Sequence, residues 1–378
     1  MVSIILRLKG FNFFYFSLFS LFISFLPIYA SHVGIAETHI GFMLGMGSLI
    51  SIVSQPLWGM VSDKYRTIKK VLLIILAASV IIGTVMYQTS HLWSLVVLVA
   101  LMNIFYLPTD PLVESLNFQT TQREGVSFGS VRMFGAMGFA VTSLLAGYSM
   151  QHFGMGSLSW IFLGFGTTAL LLCMGLTDVK ASAKPALFAH LKEFFLQSHT
   201  LTFFLIVLIV AIPHKMNDTF VGLYMEQLGG NVRLTGISWF VMTITETLFF
   251  AISSRLIKPG REGLLMAFAA GMYALRFLLS SFAQHPYELV ALQVFQGVTF
   301  VLFYVGGMQY LYSIVPEQWK STGQTMLTVM FFGVSGIIGS TAGGWLIEEW
   351  GGSALYRIMA IVAAFGFLLS LKLLKRRA

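Results

Sequence analysis

Long apolar segments separated by short polar ones run along the whole 378-residue chain. A helix needs about 20 apolar residues to cross a bilayer, and twelve segments reach or approach that length. Their bounds are 10–31, 39–61, 70–88, 91–113, 129–150, 157–176, 199–226, 233–255, 261–283, 286–312, 323–347 and 352–372. The pattern predicts an all-α membrane protein with twelve transmembrane helices.

The longest polar interruption falls at the middle of the chain, at about 177–198. It predicts a cytoplasmic linker between two six-helix bundles, at 1–176 and 199–378. A weak internal repeat supports this division, because 54–65 can be laid on 246–257 and 146–154 on 343–351. Parallel repeats of this kind are related by a pseudo-two-fold axis along the membrane normal, and a site can form where they meet. Chance recurrence of glycine and aromatic residues is the alternative explanation.

Composition excludes a soluble globule, since 57% of the residues are hydrophobic and only 10% are charged, whereas soluble domains carry about 25% charged residues. The same composition excludes a disordered chain. The single cysteine, Cys173, leaves no disulfide framework and no cysteine-ligated metal site. The sequence also has no phosphate-binding loop, nucleotide motif or nucleophile elbow, so we expect no cofactor and no enzymatic activity.

The basic residues are unevenly distributed along the chain, which has a formal net charge of +8. With both termini placed in the cytoplasm, most Lys and Arg residues fall in cytoplasmic segments, and this is the bias that orients membrane helices. We expect a multi-pass monomer embedded in the lipid bilayer of a plasma (inner) membrane. Because the charges lie in short loops between spans, we expect no nucleic-acid partner.

Seven charged residues are candidates for a position at membrane depth, where each costs roughly 2.5–3.5 kcal/mol to insert. They are Asp110, Glu114, Arg132, Lys215, Asp218, Glu246 and Arg276. Four acids and three bases nearly balance, which favours pairing across a polar cavity over exposure to lipid.

The first group of these charges is in the fourth and fifth helices. Asp110 and Glu114 are four residues apart on one face of the fourth helix, and Glu114 can approach Arg132 on the fifth. Arg132 shares a face with Phe139, so this surface combines a guanidinium, an aromatic ring and carboxylates. We predict that these four residues bind a polar substrate that carries a ring. A static ion pair between the two helices is the alternative.

The second group is in the C-terminal half. Lys215 and Asp218 are three residues apart on the seventh helix, and we expect them to neutralise each other locally. Glu246 on the eighth helix is the best candidate for a carboxyl that carries a proton, with Arg276 on the ninth helix tuning it. A static Glu246–Arg276 salt bridge is the alternative.

Small residues predict close helix contacts. Gly41 and Gly45 are four residues apart in the second helix, as are Gly339 and Gly343 in the eleventh. These two helices can lie where the halves meet, and the glycines then form either a sliding surface or ordinary tight packing.

The loop after the second helix reads GMVSDKYRTIKK at 59–70. Its Gly59, Asp63, Lys64 and Arg66 form a G-x-x-x-D-[RK]-x-[basic] pattern that resembles the cytoplasmic gating loop of the major facilitator superfamily. The segments 55–64 (QPLWGMVSDK), 129–140 (GSVRMFGAMGFA) and 272–283 (MYALRFLLSSFA) resemble the lactose-permease and oligosaccharide:proton symporter branch and the phenylpropionate-permease-like branch of that superfamily.

The resemblance implies the major facilitator fold and alternating access between two pseudo-symmetric bundles. It matches Glu114 and Arg132 to a sugar-binding acid and arginine. It also matches Phe139 to a stacking tryptophan, and Arg276 to a ninth-helix arginine.

The tenth helix departs from the family pattern. The histidine and the proton-carrying glutamate that the family places there fall on Gln296 and Thr299, neither of which titrates. The expected function is secondary active transport of a small organic solute. Proton-coupled uptake of a sugar, nucleoside or aromatic acid is the first interpretation, and proton-coupled export of a drug or sugar is the alternative.

Overall fold

The computed structural model describes residues 2–179, 197–256, 260–316 and 319–374. These residues form helices and short connections, with no β-strand among them. The first ten helices are α1 (Ile4–His32), α2 (Glu37–Tyr65), α3 (Ile68–Met86), α4 (Leu92–Glu124), α5 (Phe128–Phe153), α6 (Ser157–Met174), α7 (Ser198–Gln227), α8 (Val232–Leu256), α9 (Glu262–Ser281) and α10 (Pro286–Ile314).

The last apolar segment, Thr322–Leu373, contains two spans. Gly351 divides it into α11 (322–350) and α12 (352–373), because its backbone adopts φ 77° and ψ 170°, a conformation that favours glycine. Eleven helices of the described residues are long and apolar enough to cross a membrane when this segment is counted once. Counted as two spans, it completes the twelve helices that the sequence predicts.

Several spans depart from regular α-helical geometry inside the bundle. These irregular turns are at Ser20–Phe25 in α1, 106–108 in α4, Gln293–Phe295 and Gly297–Val301 in α10, and Val329–Val334 in α11. Single π-turns within α-helices occur frequently at functional sites, because they shift the side chains that follow them.

Buried side chains form two hydrophobic cores, one almost entirely from α1–α6 and the other from α7–α12. The halves meet mainly through two pairs of helices, α2 with α11 and α5 with α8, and to a lesser extent where α1 contacts α7. A two-fold rotation that exchanges the halves maps α2 onto α8 and α11 onto α5, so the two contacts are equivalent. Most of the predicted linker, residues 180–196 of 177–198, lies outside the described residues.

The two ends of the bundle differ in charge. One end, which we call the acidic face, carries Glu37, Glu226, Glu348 and Glu349. The opposite end, the basic face, carries the 59–70 loop. At the acidic face the halves are linked by two polar contacts. The backbone N–H of Thr38 donates to Oε2 of Glu348 at 2.7 Å, and Nδ1 of His32 lies 3.6 Å from Oε1 of Glu226.

Glycines allow the helix backbones to approach closely near the acidic face. A Cβ atom on Gly41 of α2 would lie 2.9 Å from the Cα of Gly344 in α11. A Cβ on Gly147 of α5 would lie 3.2 Å from the Cα of Gly236 in α8. The contact between the halves is therefore too tight for any side chain larger than hydrogen at these positions.

The α11 glycines singled out from the sequence do not face α2. A Cβ on Gly339 would lie 3.0 Å from the carbonyl oxygen of Ile212 in α7, and one on Gly343 would contact the ring of Phe220. The residues of α11 that pack on Gly41 and Gly45 are instead Ile337, Ser340, Thr341 and Gly344. The close helix contact predicted for Gly41 and Gly45 is confirmed and lies between the halves, whereas Gly339 and Gly343 pack tightly on α7 within their own half, which is the alternative of ordinary tight packing.

We expect Gly41→Ala to destabilise the closed acidic face by about 1–3 kcal/mol, the usual cost of overpacking. The methyl group would meet backbone atoms of Ser340 and Gly344, which cannot move aside as a flexible side chain can. The measurement is the melting temperature and transport rate of the purified protein, both of which should fall. Gly164→Ala in α6 is the matched control, because nothing lies within 4 Å of its Cβ position. Equal melting temperatures for the two variants would contradict the prediction.

Candidate functional site

Glu114 and Arg132 form a salt bridge between α4 and α5, as the sequence predicts, with Nε of Arg132 2.8 Å from Oε1 of Glu114. The Arg132 side chain is 41% exposed and that of Glu114 is 31% exposed, so a solute can reach the pair. The second carboxylate oxygen of Glu114, Oε2, is buried and has no hydrogen-bond partner. This arrangement leaves one acceptor free beside a guanidinium.

The aromatic ring that packs on Arg132 comes from α1 and not from α5, where the sequence predicts it. The guanidinium carbon lies 3.9 Å from the centroid of the Phe16 ring in α1, a distance typical of a cation–π contact. Phe139, the predicted ring, instead packs on Trp239 of α8, with centroids 5.8 Å apart and planes inclined by 52°. Phe139 therefore lies between the halves, and Phe16 takes the place next to the charge.

Asp110 follows the interruption of α4 and is half-buried. Its charge interacts with that of Arg132. The adjacent Thr109 shares a 2.6 Å hydrogen bond with the hydroxyl of Tyr15, which fixes the start of this helical segment against α1. Asp110 is thus a second carboxylate on the same side of the bundle as the Glu114–Arg132 pair.

In the C-terminal half, a neutral side chain separates Glu246 from Arg276. Arg276 is fully buried and donates to the side-chain oxygens of Gln293, Gln296 and Thr299. Gln296 in turn donates from Nε2 to Oε1 of Glu246 at 2.9 Å. The alternative of a static Glu246–Arg276 salt bridge is therefore wrong, because the Gln296 amide occupies the space between the two charges.

The predicted local pairing of Lys215 with Asp218 is also wrong. Asp218 pairs with His214, one helical turn away on the same face, and Oδ2 of Asp218 lies 3.4 Å from Nε2 of the imidazole. The other ring nitrogen of His214 lies 3.1 Å from the hydroxyl of Tyr273, and the ring is stacked on Phe300 with centroids 4.9 Å apart. No ion pair or hydrogen bond joins the Lys215 ammonium to a residue that the structure describes.

Two cavities lie along the interface between the halves. One, of about 80 Å³, is in the centre between α1, α2, α4, α7 and α11. Its polar lining residues are Ser48, Asn103, Lys215, Asp218, Thr219 and Ser340. The other, of about 580 Å³, opens at the acidic face beside the His32–Glu226 contact.

The structure corrects the predicted 59–70 loop, because 59–65 form the last turns of α2, 66–67 the turn and 68–70 the start of α3. This 59–70 segment is fastened to the end of the N-terminal bundle. The carboxylate of Asp178 accepts from the backbone N–H of Lys69 at 3.0 Å and from the hydroxyl of Thr67. The Lys69 ammonium donates to the carbonyl oxygens of Met174 and Leu176 at 2.6 and 2.7 Å. These bonds cap the start of α3 and the end of α6, so the loop moves with its own bundle.

The residues of the predicted gating motif make few contacts with the rest of the described protein. Lys64 and Arg66 are exposed, and Arg66 ends α2 in a left-handed conformation with φ 52°. No atom lies within 4 Å of the Cβ position of Gly59. Within the described part of the chain, the Asp63 carboxylate makes no hydrogen bond or ion pair.

Sequence reasoning missed Phe16, Trp239 and Ser340 as members of this interior. Phe16 and Trp239 gave no signal, because the chain is rich in aromatic residues and nothing local distinguishes these two. Gln293 was also missed, although it gave a signal, because a polar amide inside an apolar span requires a hydrogen-bond partner. The described residues contain no cluster of three or more His, Cys, Asp or Glu side chains that could hold a metal ion.

Comparisons with known proteins agree with this architecture. The model of the MFS_1 like family matches residues 5–358. The chain is 25% identical over 371 residues to the uncharacterized transporter YwbF of Bacillus subtilis, covering 97% of this chain and 93% of the relative. It is 27% identical over 378 residues to the maltose permease of Geobacillus stearothermophilus, covering 98% and 95%.

Solved structures give the same fold. The crystal structure of the nucleoside transporter NupG superimposes with a TM-score of 0.86 at 17% sequence identity, covering 99% of this chain and 100% of the other. With its twelve spans, two pseudo-symmetric bundles and charged interior, the chain belongs to the MFS_1 like family and is a multi-pass membrane transporter of small solutes of the major facilitator type, not an enzyme.

Proposed function

We propose that this protein takes up a small organic solute together with protons, with the Glu114–Arg132 pair binding the solute and Glu246 carrying the proton. The main support for the substrate role is the free Oε2 atom of Glu114 beside the exposed Arg132 guanidinium. A hydroxyl group can donate to the first and accept from the second, so a hydroxylated ring can bind there while Phe16 covers the guanidinium from the other side. Asp110 adds a second carboxylate, and Phe139 forms part of the wall between the halves.

The surroundings of Glu246 support the proton role. Its hydrogen bond comes from the neutral amide of Gln296, and a protonated carboxyl can accept the same bond through its carbonyl oxygen. Glu246 can therefore change charge without breaking an ion pair. Its charge also interacts with those of Arg132 in the other half and of Arg276, so protonation alters the field at the solute site. We assign Arg276 the role of tuning this carboxyl through Gln296.

The movement we propose is a rocking of the bundles 1–176 and 199–378 about this interior. The glycine contacts close the acidic face, and we expect the solute to reach the Glu114–Arg132 pair from the basic face. We place the basic face and both termini in the cytoplasm of an inner membrane, because Lys and Arg concentrate there. Gly59, Asp63, Lys64 and Arg66 then form the gating loop on the cytoplasmic side of a protein that works as a monomer.

The test is uptake of radiolabelled maltose and uridine by proteoliposomes that contain the purified protein. With acid imposed outside, at least one probe should accumulate above its equilibrium concentration, and a protonophore should abolish that accumulation. The same uptake with and without the gradient would remove the proton role. Accumulation only when the gradient is reversed would favour export.

A further inference from the structure

We propose that the pocket at the acidic face binds an organic amine with an apolar body, which acts there as an inhibitor and not as the transported solute. The pocket has a volume of about 580 Å³, and small-molecule sites measure about 300–1,000 Å³. None of the described residues that line it belongs to the Glu114–Arg132 pair or to the central cavity. The inhibitory effect rests on the proposed rocking of the halves, whereas amine binding itself does not.

The pocket lies between the two halves. Its walls on the N-terminal side are the ends of α1 and α5, and those on the C-terminal side are the end of α7 and the start of α8. A ligand in this place contacts both halves, and opening of the acidic face would pull its walls apart. Because a ligand shifts an equilibrium toward the state that it binds more tightly, an occupant of the pocket holds the acidic face closed.

The two equivalent contacts between the halves differ at this face. At the α2–α11 contact, Glu348 caps the start of α2 from the other half by accepting from the backbone N–H of Thr38. The internal repeat lays Gln151 of α5 on Glu348. At the α5–α8 contact, however, Asn231 caps α8 from within its own half, since its Oδ1 accepts from the backbone N–H of Leu234 at 3.1 Å. Gln151 is therefore not needed as a cap, and it lines an open space.

A carboxylate oxygen without a partner lies at the wall of the pocket. Oε1 of Glu226 is buried and has no hydrogen-bond partner among the described residues. Nδ1 of His32 is 3.6 Å from this oxygen but 3.2 Å from the carbonyl oxygen of Ile28 in its own helix. The Glu226 side chain is 23% exposed, and the terminal torsion of a glutamate is soft. A small rotation of the carboxylate therefore turns this oxygen toward a donor in the pocket.

The charges around the pocket select the polar group of the ligand. An anion would be repelled by Glu226 and by Glu37, whose charge interacts with that of Glu226. A metal ion would find too few ligands, because the described residues contain no cluster of three or more His, Cys, Asp or Glu side chains. An ammonium group has three N–H donors and forms a strong, charge-assisted hydrogen bond with a carboxylate. Arg233 of α8 is exposed at the same face but does not line the pocket.

The other walls of the pocket select an apolar body for that amine. Met150 and Met155 at the end of α5 and Val232 at the start of α8 line it. Methionine side chains are flexible and polarisable, and they make favourable contacts with aromatic rings. An aryl or alkyl chain would remove these side chains from water, whereas a sugar or a polyamine would not. An arylalkylamine meets both requirements.

The experiment measures the binding of 4-phenylbutylamine, which is a cation at neutral pH, and of its neutral counterpart 4-phenylbutanol to the purified protein. The wild type should bind the amine about tenfold to a hundredfold more tightly than the alcohol, the effect of one hydrogen bond to a charged group. Glu226→Gln should lower the affinity for the amine to that for the alcohol and leave the affinity for the alcohol unchanged. A folding defect cannot imitate this result, because it would weaken the binding of both compounds.

Glu349→Gln is the matched control for Glu226→Gln. Glu349 is exposed at the same face and carries the same charge, but it does not line the pocket, so its substitution should leave both affinities unchanged. Met155→Gln tests the apolar wall. It should weaken the binding of the amine and of the alcohol by the same factor, since both compounds carry the same apolar body.

Inhibition of transport is the second readout. The amine should lower the Vmax of maltose or uridine uptake without raising KM, because saturating solute does not remove the state with a closed acidic face from the transport cycle. Glu226→Gln should abolish this inhibition at the same amine concentration, and Glu349→Gln should retain it.

The outcomes separate this site from the proposed function. Equal affinity of the wild type for the amine and the alcohol would overturn the amine site, as would an equal loss of amine affinity in Glu226→Gln and Glu349→Gln. An increase in KM at constant Vmax would place the amine in the solute site and would also overturn it. All three results leave the roles of Glu114, Arg132 and Glu246 untouched. Failure of transport with every solute probe would overturn the proposed function and leave the binding measurements valid.

Discussion

Arg132→Ala is expected to lower uptake, expressed as kcat/KM, by a factor of about 100 while leaving the protein folded. The substitution removes the guanidinium that we assign to the solute and leaves Glu114 without its partner at 2.8 Å. A hydrogen bond from a charged group to the solute contributes about 1.5–3 kcal/mol, and the loss of one at the upper end of that range corresponds to a factor of about 100. The measurement is initial uptake of the transported probe by proteoliposomes.

Arg123→Ala is the control, because Arg123 pairs with its neighbour Glu124 at the exposed end of α4. The double variant Glu114→Gln/Arg132→Ala decides between a binding role and a static ion pair. If the pair only locks α4 to α5, removing both charges should restore most of the transport that the single substitution loses. If the pair binds solute, the double variant should stay inactive, and recovery would refute our assignment.

Glu246→Gln is expected to abolish accumulation driven by a pH gradient, which is a complete loss of uphill transport, while exchange of labelled for unlabelled solute continues. Glutamine has nearly the same shape and keeps an oxygen that accepts from Nε2 of Gln296, but it cannot bind and release a proton. Uphill uptake and equilibrium exchange are measured on the same proteoliposomes, so loss of the first alone identifies a coupling residue.

Glu349→Gln serves as its control, because that glutamate is exposed at the acidic face and is not part of the interior. It should retain both activities. Accumulation by Glu246→Gln at the wild-type level would transfer the proton role to another group, and loss of exchange together with accumulation would indicate a solute-binding or folding defect instead.

Some of the interior could be predicted from residue type and spacing. The Glu114–Arg132 pair was predictable because two charges on consecutive antiparallel spans have few other partners within an apolar environment. The tight contact at Gly41 was predictable because glycine spacing identifies a helix face that a neighbour can approach closely. Both inferences depend on the cost of placing a polar or bulky group in the wrong surroundings.

Other features depended on side-chain direction, which spacing alone does not give. Lys215 and Asp218 have opposite charges and a helical spacing, yet Asp218 lies on the same helix face as His214 and pairs with it. Glu246 and Arg276 have opposite charges and lie on consecutive helices, so they could form an ion pair. The irregular turn of α10, however, places Gln296 between them. In both cases, the direction in which the side chain leaves its helix decides which partner it contacts.

Residue composition along the chain is sufficient to establish the membrane class, the twelve spans and the identity of the charges that must be sheltered from lipid. These follow from local free energies of insertion, which depend on each segment's own composition. Helix packing, in contrast, is what brings Phe16 onto Arg132 and Gln296 between Glu246 and Arg276. Those contacts join residues far apart in the chain, and their geometry arises from the packing of whole helices, which no single segment encodes.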